Sequence, residues 1–330
     1  MPSDWNKRVT DLLTGVIPPL VTPFDANGDV HTDDLRSLCG SLADGGVHGL
    51  FALGSSGEVG FLSDAMRDTA LATIVEASQG LPVLAGCIDT SATRVLDHAR
   101  RAADIGAGYA IVTAPFYAKT CTADIEAHFR WIAERSPLPV VAYDIPVAVH
   151  SKLDSDMLVR LALDGVIAAV KDSSGDQGAM RRLIRLNKAA GSPLRVFTGT
   201  EVVVDANLLM GVDGVVPGLG NVAPAGYVQL YDAARRGDWA TAVTWQDRLE
   251  EFFDIVYADP DLVGPAQAIG GFKAAMTRRG VLSSWRTCAP QRPLSTEAVA
   301  KINELTDSYV TWEAGQLGRP ATAHIETKEF

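Results

Sequence analysis

Along this chain, short runs of Val, Ile and Leu recur at near-regular intervals. Each is followed by a longer stretch whose apolar residues return every three or four positions. Apolar runs bounded by turn residues describe strands buried on both faces, whereas three-to-four spacing describes helices with one buried stripe. The runs are GVIPPLVT from Gly15, HGLFALG from His48, PVLAGC from Pro82, YAIVTAP from Tyr109, PVVAYD from Pro139, VIAAVKD from Val166, LRVFTG from Leu194 and DGVVPG from Asp213. Helical segments such as SDAMRDTALATIVEA from Ser63 and SATRVLDHARRAADIGA from Ser91 open on serines suited to N-caps.

Strand–helix units repeated in this way predict an α/β protein, a (β/α)8 TIM barrel, rather than an open doubly wound sheet. An open sheet would carry its ligand motif, GxGxxG, after the first strand, and none follows Gly15. Residues 1–14 are assigned to an N-terminal segment and 15–236 to the barrel. Residues 237–314 form a C-terminal helical extension, with helical stretches at 239–255, 271–279 and 296–312, and 315–330 are assigned to a flexible tail.

Composition narrows the partners. With 40 acidic against 29 basic residues the net charge is -11, which disfavours nucleic acid and anionic membranes and leaves a small molecule as substrate. Cys39, Cys87, Cys121 and Cys288 are scattered, so neither a zinc cluster nor a disulfide framework is indicated. MPSDWNKRVT has no apolar signal-peptide core and no long apolar run follows, so the expected location is cytoplasmic. The histidines His31, His48, His98, His128, His150 and His324 lack HxH, HxxxH or HExxH spacing, so neither a metal nor another cofactor is called for.

Barrel chemistry sits at the C-terminal ends of the strands, and here those ends are polar: GSSGE at 54–58, PFY at 115–117, YDIP at 143–146 and KDSSGD at 171–176. Lys171 ends the apolar run VIAAV in a desolvated barrel mouth, and desolvation favours the neutral, nucleophilic amine. Such an amine forms an imine with a carbonyl, and the iminium is an electron sink for breaking or making the adjacent carbon–carbon bond. An ion pair with Asp172 is the competing structural role. Tyr143 supplies a phenol for proton transfer if partners activate it. Ser55 and Ser56 lie in a small-residue loop that admits a carboxylate or simply forms a tight turn. Tyr117, beside Phe116, serves packing or chemistry, and His150 contacts substrate or is a loop residue.

Taken together, GVIPPLVTPF, GSSGE, APFY, YDIP and the strand-six lysine resemble the dihydrodipicolinate synthase and N-acetylneuraminate lyase superfamily, the pyruvate-type class I aldolases, over about residues 15–279. The resemblance implies that Lys171 is the Schiff-base lysine and Tyr143 the proton relay. It implies that Ser55 and Ser56 hold the 2-oxo acid carboxylate, with Ser56 also linking Tyr143 toward Tyr117. In the family that tyrosine comes from a neighbouring subunit, which implies a homotetramer built as a dimer of dimers. Ser173, Gly199, Glu201, Val216 and Asp144 are carried over as substrate-binding positions.

The pattern departs from true synthases where specificity is set. They resemble Y-N-V-P-S-R-T-G after strand five, with an arginine that holds the aldehyde's carboxylate; here YDIPVAVHS places Ala148 there, and the nearest other cation is Lys152. KDSSGD looks closer to the K-x-T-S-G-D of sialic acid lyases, but GTEVV at 199–203 and PGLGN at 217–221 lack their G-Y-D-E and G-S-T-Y-N. Asp144 replaces the usual Asn beside the tyrosine, where a carboxylate tunes the relay or binds substrate hydroxyls. The expected function is a lyase joining pyruvate to an aldehyde, or cleaving the 4-hydroxy-2-oxo acid. The alternatives are a 2-keto-3-deoxy sugar acid dehydratase using the same imine, a dihydrodipicolinate synthase, and a non-catalytic binding barrel.

Overall fold

The computed structural model describes residues 13–318. Its apolar runs become eight parallel strands: β1 (Gly15–Val16), β2 (Leu50–Ala52), β3 (Val83–Gly86), β4 (Tyr109–Thr113), β5 (Val140–Asp144), β6 (Ala169–Asp172), β7 (Arg195–Thr198) and β8 (Gly214–Val215). Each strand pairs with its sequence neighbour from β2 to β8, and β8 pairs with β1. The ring closes where Pro19 pairs in parallel with Phe51: the Leu20 N–H donates to the Phe51 carbonyl at 2.9 Å, and the Phe51 N–H to that of Pro18 at 3.0 Å. The expected (β/α)8 barrel is therefore formed. β1 is much shorter than GVIPPLVT because Pro18 and Pro19 have no N–H to donate, and the ladder breaks there.

Around the ring lie α1 (Thr32–Asp44), α2 (Asp64–Ala77), α3 (Ala92–Ile105), α4 (Thr122–Arg135), the single turn α5 (Pro146–Val149), α6 (Ser155–Leu163), α7 (Gln177–Ala189), α8 (Val204–Met210) and α9 (Pro224–Arg235). The predicted caps are in place: the Ser63 hydroxyl accepts from the Met66 N–H and that of Ser91 from the Arg94 N–H. At its other end α3 stops on Gly106, whose φ of 111° a side chain would resist.

Inward side chains fill the bore. Ile17, Phe51, Leu84, Ile111, Val141 and Phe197 leave about 10 Å³ beneath Lys171, no more than a single water needs. Ligands must therefore enter at the open face, where the strands end.

The extension comprises α10 (Trp239–Phe253), α11 (Pro265–Arg278) and α12 (Thr296–Leu317). Phe252 stacks on Tyr309 with ring centroids 4.4 Å apart, and Trp245 meets Trp312 edge-on at 4.7 Å. α12 ends on Gly318 at φ 61°, and most of segment 1–14 and of the tail from 315 lies outside the described residues. No helix among the described residues is long and apolar enough to cross a membrane.

The extension is joined to the barrel by a buried ion pair between Lys273 on α11 and Glu58, neither side chain having any exposed surface. Removing one partner of such a pair strands the other's charge. Lys273→Met is expected to cost about 3–5 kcal/mol, and the double variant Glu58→Leu/Lys273→Met to recover most of it, in urea denaturation. A single-variant loss under about 1 kcal/mol would show that Glu58 is not sealed from water.

Candidate active site

β5 and β6 run in register, with Tyr143 opposite Lys171 and Asp144 opposite Asp172. Side chains alternate along a strand, so one pair faces the bore and the other the helices. Lys171 and Tyr143 are the inward pair. The Lys171 ammonium donates to the Tyr143 hydroxyl at 3.1 Å, and both residues are buried. The rings of Tyr143 and Phe51 flank this nitrogen at 4.3 and 5.1 Å, while Phe197 and Val216 help complete an apolar floor. Burial pushes the Tyr143 phenol up. The Lys171 charge and the hydroxyls of Ser55 and Ser173 outweigh it, and the group sits below the ordinary tyrosine value.

After β2 the chain turns sharply. Leu53 and Glu58 both adopt φ of 58°, uncommon for residues with side chains, and a Cβ on Gly54 would lie 2.7 Å from the Phe51 ring. The Ser55 hydroxyl reaches 3.4 Å from that of Tyr143. The resemblance had given this link to Ser56; the turn, closed by the Glu58 N–H donating to the Ser55 carbonyl, presents Ser55 instead. Tyr117 stands apart. It is 99% exposed, at a φ of 73°, on the β4 loop.

The strand-six and strand-seven ends complete one wall. A Cβ on Gly199 would lie 2.1 Å from the Ser173 hydroxyl and 3.2 Å from Lys171 Cε, so only glycine leaves room there. The Glu201 carboxylate accepts from the Leu219 N–H at 2.6 Å. Burial pushes its pKa up to about 7, against the opposing pull of the Leu219 and Gly218 amides and Lys171.

Asp144 is not brought to the mouth. It belongs to the outward pair, is fully buried, and accepts from the Lys152 ammonium and from the Leu153 N–H at 3.1 Å. Lys152 also reaches Asp172 at 3.3 Å, so the nearest cation to Ala148 is already paired with two carboxylates. Burial raises the Asp144 carboxyl to about 6; neighbouring Asp172 adds to this, and together they outweigh Lys152. Ala148 and His150 are exposed on the strand-five loop, and Val147 is 80% exposed. The sequence reasoning missed Phe51, Lys152 as a partner of Asp144, and Lys273. For Lys273 the available signal was a lone lysine inside the apolar helical stretch GFKAAM.

A lysine amine touching an acidified phenol in a dry, open-ended mouth can attack a carbonyl and shuttle a proton beside it. Among the described residues no group of three or more His, Cys, Asp or Glu is disposed to hold a metal ion.

Comparison with known proteins gives the chain a family and supports the fold. Residues 12–308 match the sequence model described as the dihydrodipicolinate synthetase family. The chain is similar to the 4-hydroxy-tetrahydrodipicolinate synthase of Stenotrophomonas maltophilia strain K279a, at 31% identity over 303 residues, 92% of this chain and 98% of the relative. Among solved structures it resembles YagE, a prophage protein of the dihydrodipicolinic acid synthase family from E. coli K12 in complex with pyruvate. The TM-score is 0.84, with 28% identity over 90% of this chain and 99% of that one. Dihydrodipicolinate synthase of Bacteroides thetaiotaomicron gives the same TM-score and identity over 90% and 98%.

The Asp144 carboxyl keeps its proton in the fold up to about pH 6, whereas unfolded aspartate loses it near about pH 4. Between those values the unfolded chain binds fewer protons, so this group makes stability fall as pH rises. Asp144→Asn removes that slope. Urea unfolding should show the variant gaining on the parent by up to about 3 kcal/mol between pH of about 4 and 7. An equal difference at both pH values would contradict the raised carboxyl.

Proposed function

Because the chain belongs to the dihydrodipicolinate synthetase family, we propose that it is a lyase whose Lys171 forms an imine with pyruvate or a related 2-oxo acid. The observation that carries this reading is the 3.1 Å contact between Lys171 and Tyr143 in a desolvated mouth. The Lys171 amine attacks the ketone carbon, the Tyr143 hydroxyl gives its proton to the departing oxygen, and water leaves, giving an iminium beside the Tyr143 phenolate. The Tyr143 oxygen accepts a proton from the adjacent methyl, and the freed electron pair forms the enamine. The enamine carbon adds to an aldehyde, whose oxygen takes that proton back from Tyr143; hydrolysis of the iminium then frees Lys171 and a 4-hydroxy-2-oxo acid and returns a proton to Tyr143, and cleavage is the reverse. Ser55 and Ser56 are the groups for the substrate carboxylate. Ser173, Gly199, Glu201 and Val216 bound the remaining space. In this reading the exposed Tyr117 crosses into a neighbouring subunit of a homotetramer.

A dehydratase using the same imine is the second reading. It is favoured by Glu201, which is half protonated near neutrality and suited to protonate a leaving hydroxyl.

Lys171→Ala is expected to leave the fold intact, to give no borohydride-stabilised adduct with pyruvate in intact-mass spectra, and to keep less than a few per cent of activity. An adduct of unchanged yield on that variant would place the imine elsewhere. Tyr143→Phe should slow turnover by about two to four orders of magnitude, and a rate within about threefold of the parent would remove the relay role.

Specificity follows from the strand-five rim, where Ala148 offers no charge and Lys152 is held by Asp144 and Asp172. Losing a charge-assisted pair to an acceptor carboxylate costs about 1.5–3 kcal/mol, so aspartate semialdehyde should be used roughly tenfold to a hundredfold less efficiently than by a barrel with an arginine at that rim position, and should not be the preferred acceptor. A coupled assay showing aspartate semialdehyde as the preferred acceptor would overturn this and restore the synthase reading.

A further inference from the structure

Glu58 ends the loop that carries Ser55, yet none of its bonds goes to the mouth. Its carboxylate accepts from the Lys273 ammonium, from the Cys288 N–H at 2.7 Å and from the Gln291 amide at 2.5 Å. Lys273 in turn donates to the Arg286 carbonyl at 2.7 Å and lies 4.4 Å over the Phe24 ring. These carboxylate partners lie 215 to 233 residues further along the chain, in the extension. On the other side, the Glu58 N–H closes the turn onto the Ser55 carbonyl at 3.0 Å, and the Thr22 hydroxyl donates to the Gly57 carbonyl at 2.8 Å.

We propose that Glu58 and Lys273 are positioning residues for the Ser55–Tyr143 contact, so that the C-terminal extension takes part in proton transfer at the imine. Two physical arguments carry this. A loop bracketed by left-handed Leu53 and Glu58 is strained and persists only where its surroundings over-determine it; four bonds on a sealed carboxylate and ammonium do so. A buried ion pair is also a poor source of stability compared with apolar packing, so its directional hold on the loop is the feature an apolar pair would not reproduce. Ser55 is itself exposed, and Tyr143 is its hydroxyl's hydrogen-bond partner at 3.4 Å. Its placement therefore depends on the loop backbone. When the loop loosens, Tyr143 loses one of the groups that hold its phenol below the ordinary value.

This inference rests on the imine reading, and pyruvate alone is the probe for both. Two readouts are needed: borohydride trapping, which reports imine formation, and exchange of the pyruvate methyl protons in heavy water by proton NMR, which reports transfer through Tyr143. The variants are Glu58→Gln and, should that not fold, the milder Gln291→Leu. At saturating pyruvate, trapped adduct should stay within about twofold of the parent. Methyl exchange near neutral pH should fall roughly tenfold, with its pH midpoint moved upward. Ser55→Ala should produce the same shift, and combining it with Glu58→Gln should add little, because both act on one contact. Exchange profiles that coincide with the parent's, or effects of Ser55→Ala and Glu58→Gln that simply add, would overturn the proposal while leaving the imine standing. A parent protein with neither adduct nor exchange would overturn the imine reading, and this inference with it.

Discussion

The in-register pairing of β5 with β6 is the constraint from which the rest of the site follows. Parallel strands fix which residues lie side by side, and the two-residue alternation fixes which face each presents. Tyr143 beside Lys171 therefore implies Asp144 beside Asp172 one step on, facing the other way. A slip of β6 by one residue would turn Asp172 into the bore beside Tyr143 and the amine out to the helices. The lysine–tyrosine pair and the acid pair are two consequences of a single ladder.

The two faces then handle charge in opposite ways. Inside, the amine sits between aromatic rings with a phenol as its hydrogen-bond partner, so its nearest contacts are polarisable but uncharged. Outside, Lys152 is shared by two carboxylates, which closes the strand-five loop onto β6 and withholds that cation from the rim. The carboxylate that stands where the resemblance expects an asparagine thus acts on the loop rather than on the phenol. As a result this loop contributes no spare positive charge to the mouth of the barrel.

The extension has a comparable relation to the barrel. Its aromatic stack of Phe252 on Tyr309 makes it a stable body, but its consequence for chemistry runs through one buried carboxylate at the end of the serine loop.

Much was determined by the sequence alone. The eight strands, the capped helices and Lys171 and Tyr143 at strand ends all follow from local periodicity and nearest-neighbour chemistry, which a linear chain carries in full, while the arginine missing at Ala148 came from the family resemblance of the strand-five motif. The tertiary structure alone decided which serine meets Tyr143, because that depends on the twist of a turn rather than on residue type. It alone turned Asp144 away from the mouth and handed it Lys152, and it alone supplied Phe51 as a wall of the amine's pocket. It also joined Glu58 to Lys273 across 215 residues, since no spacing along a chain encodes a contact that exists only once a ring of strands has closed and a further set of helices has packed against it.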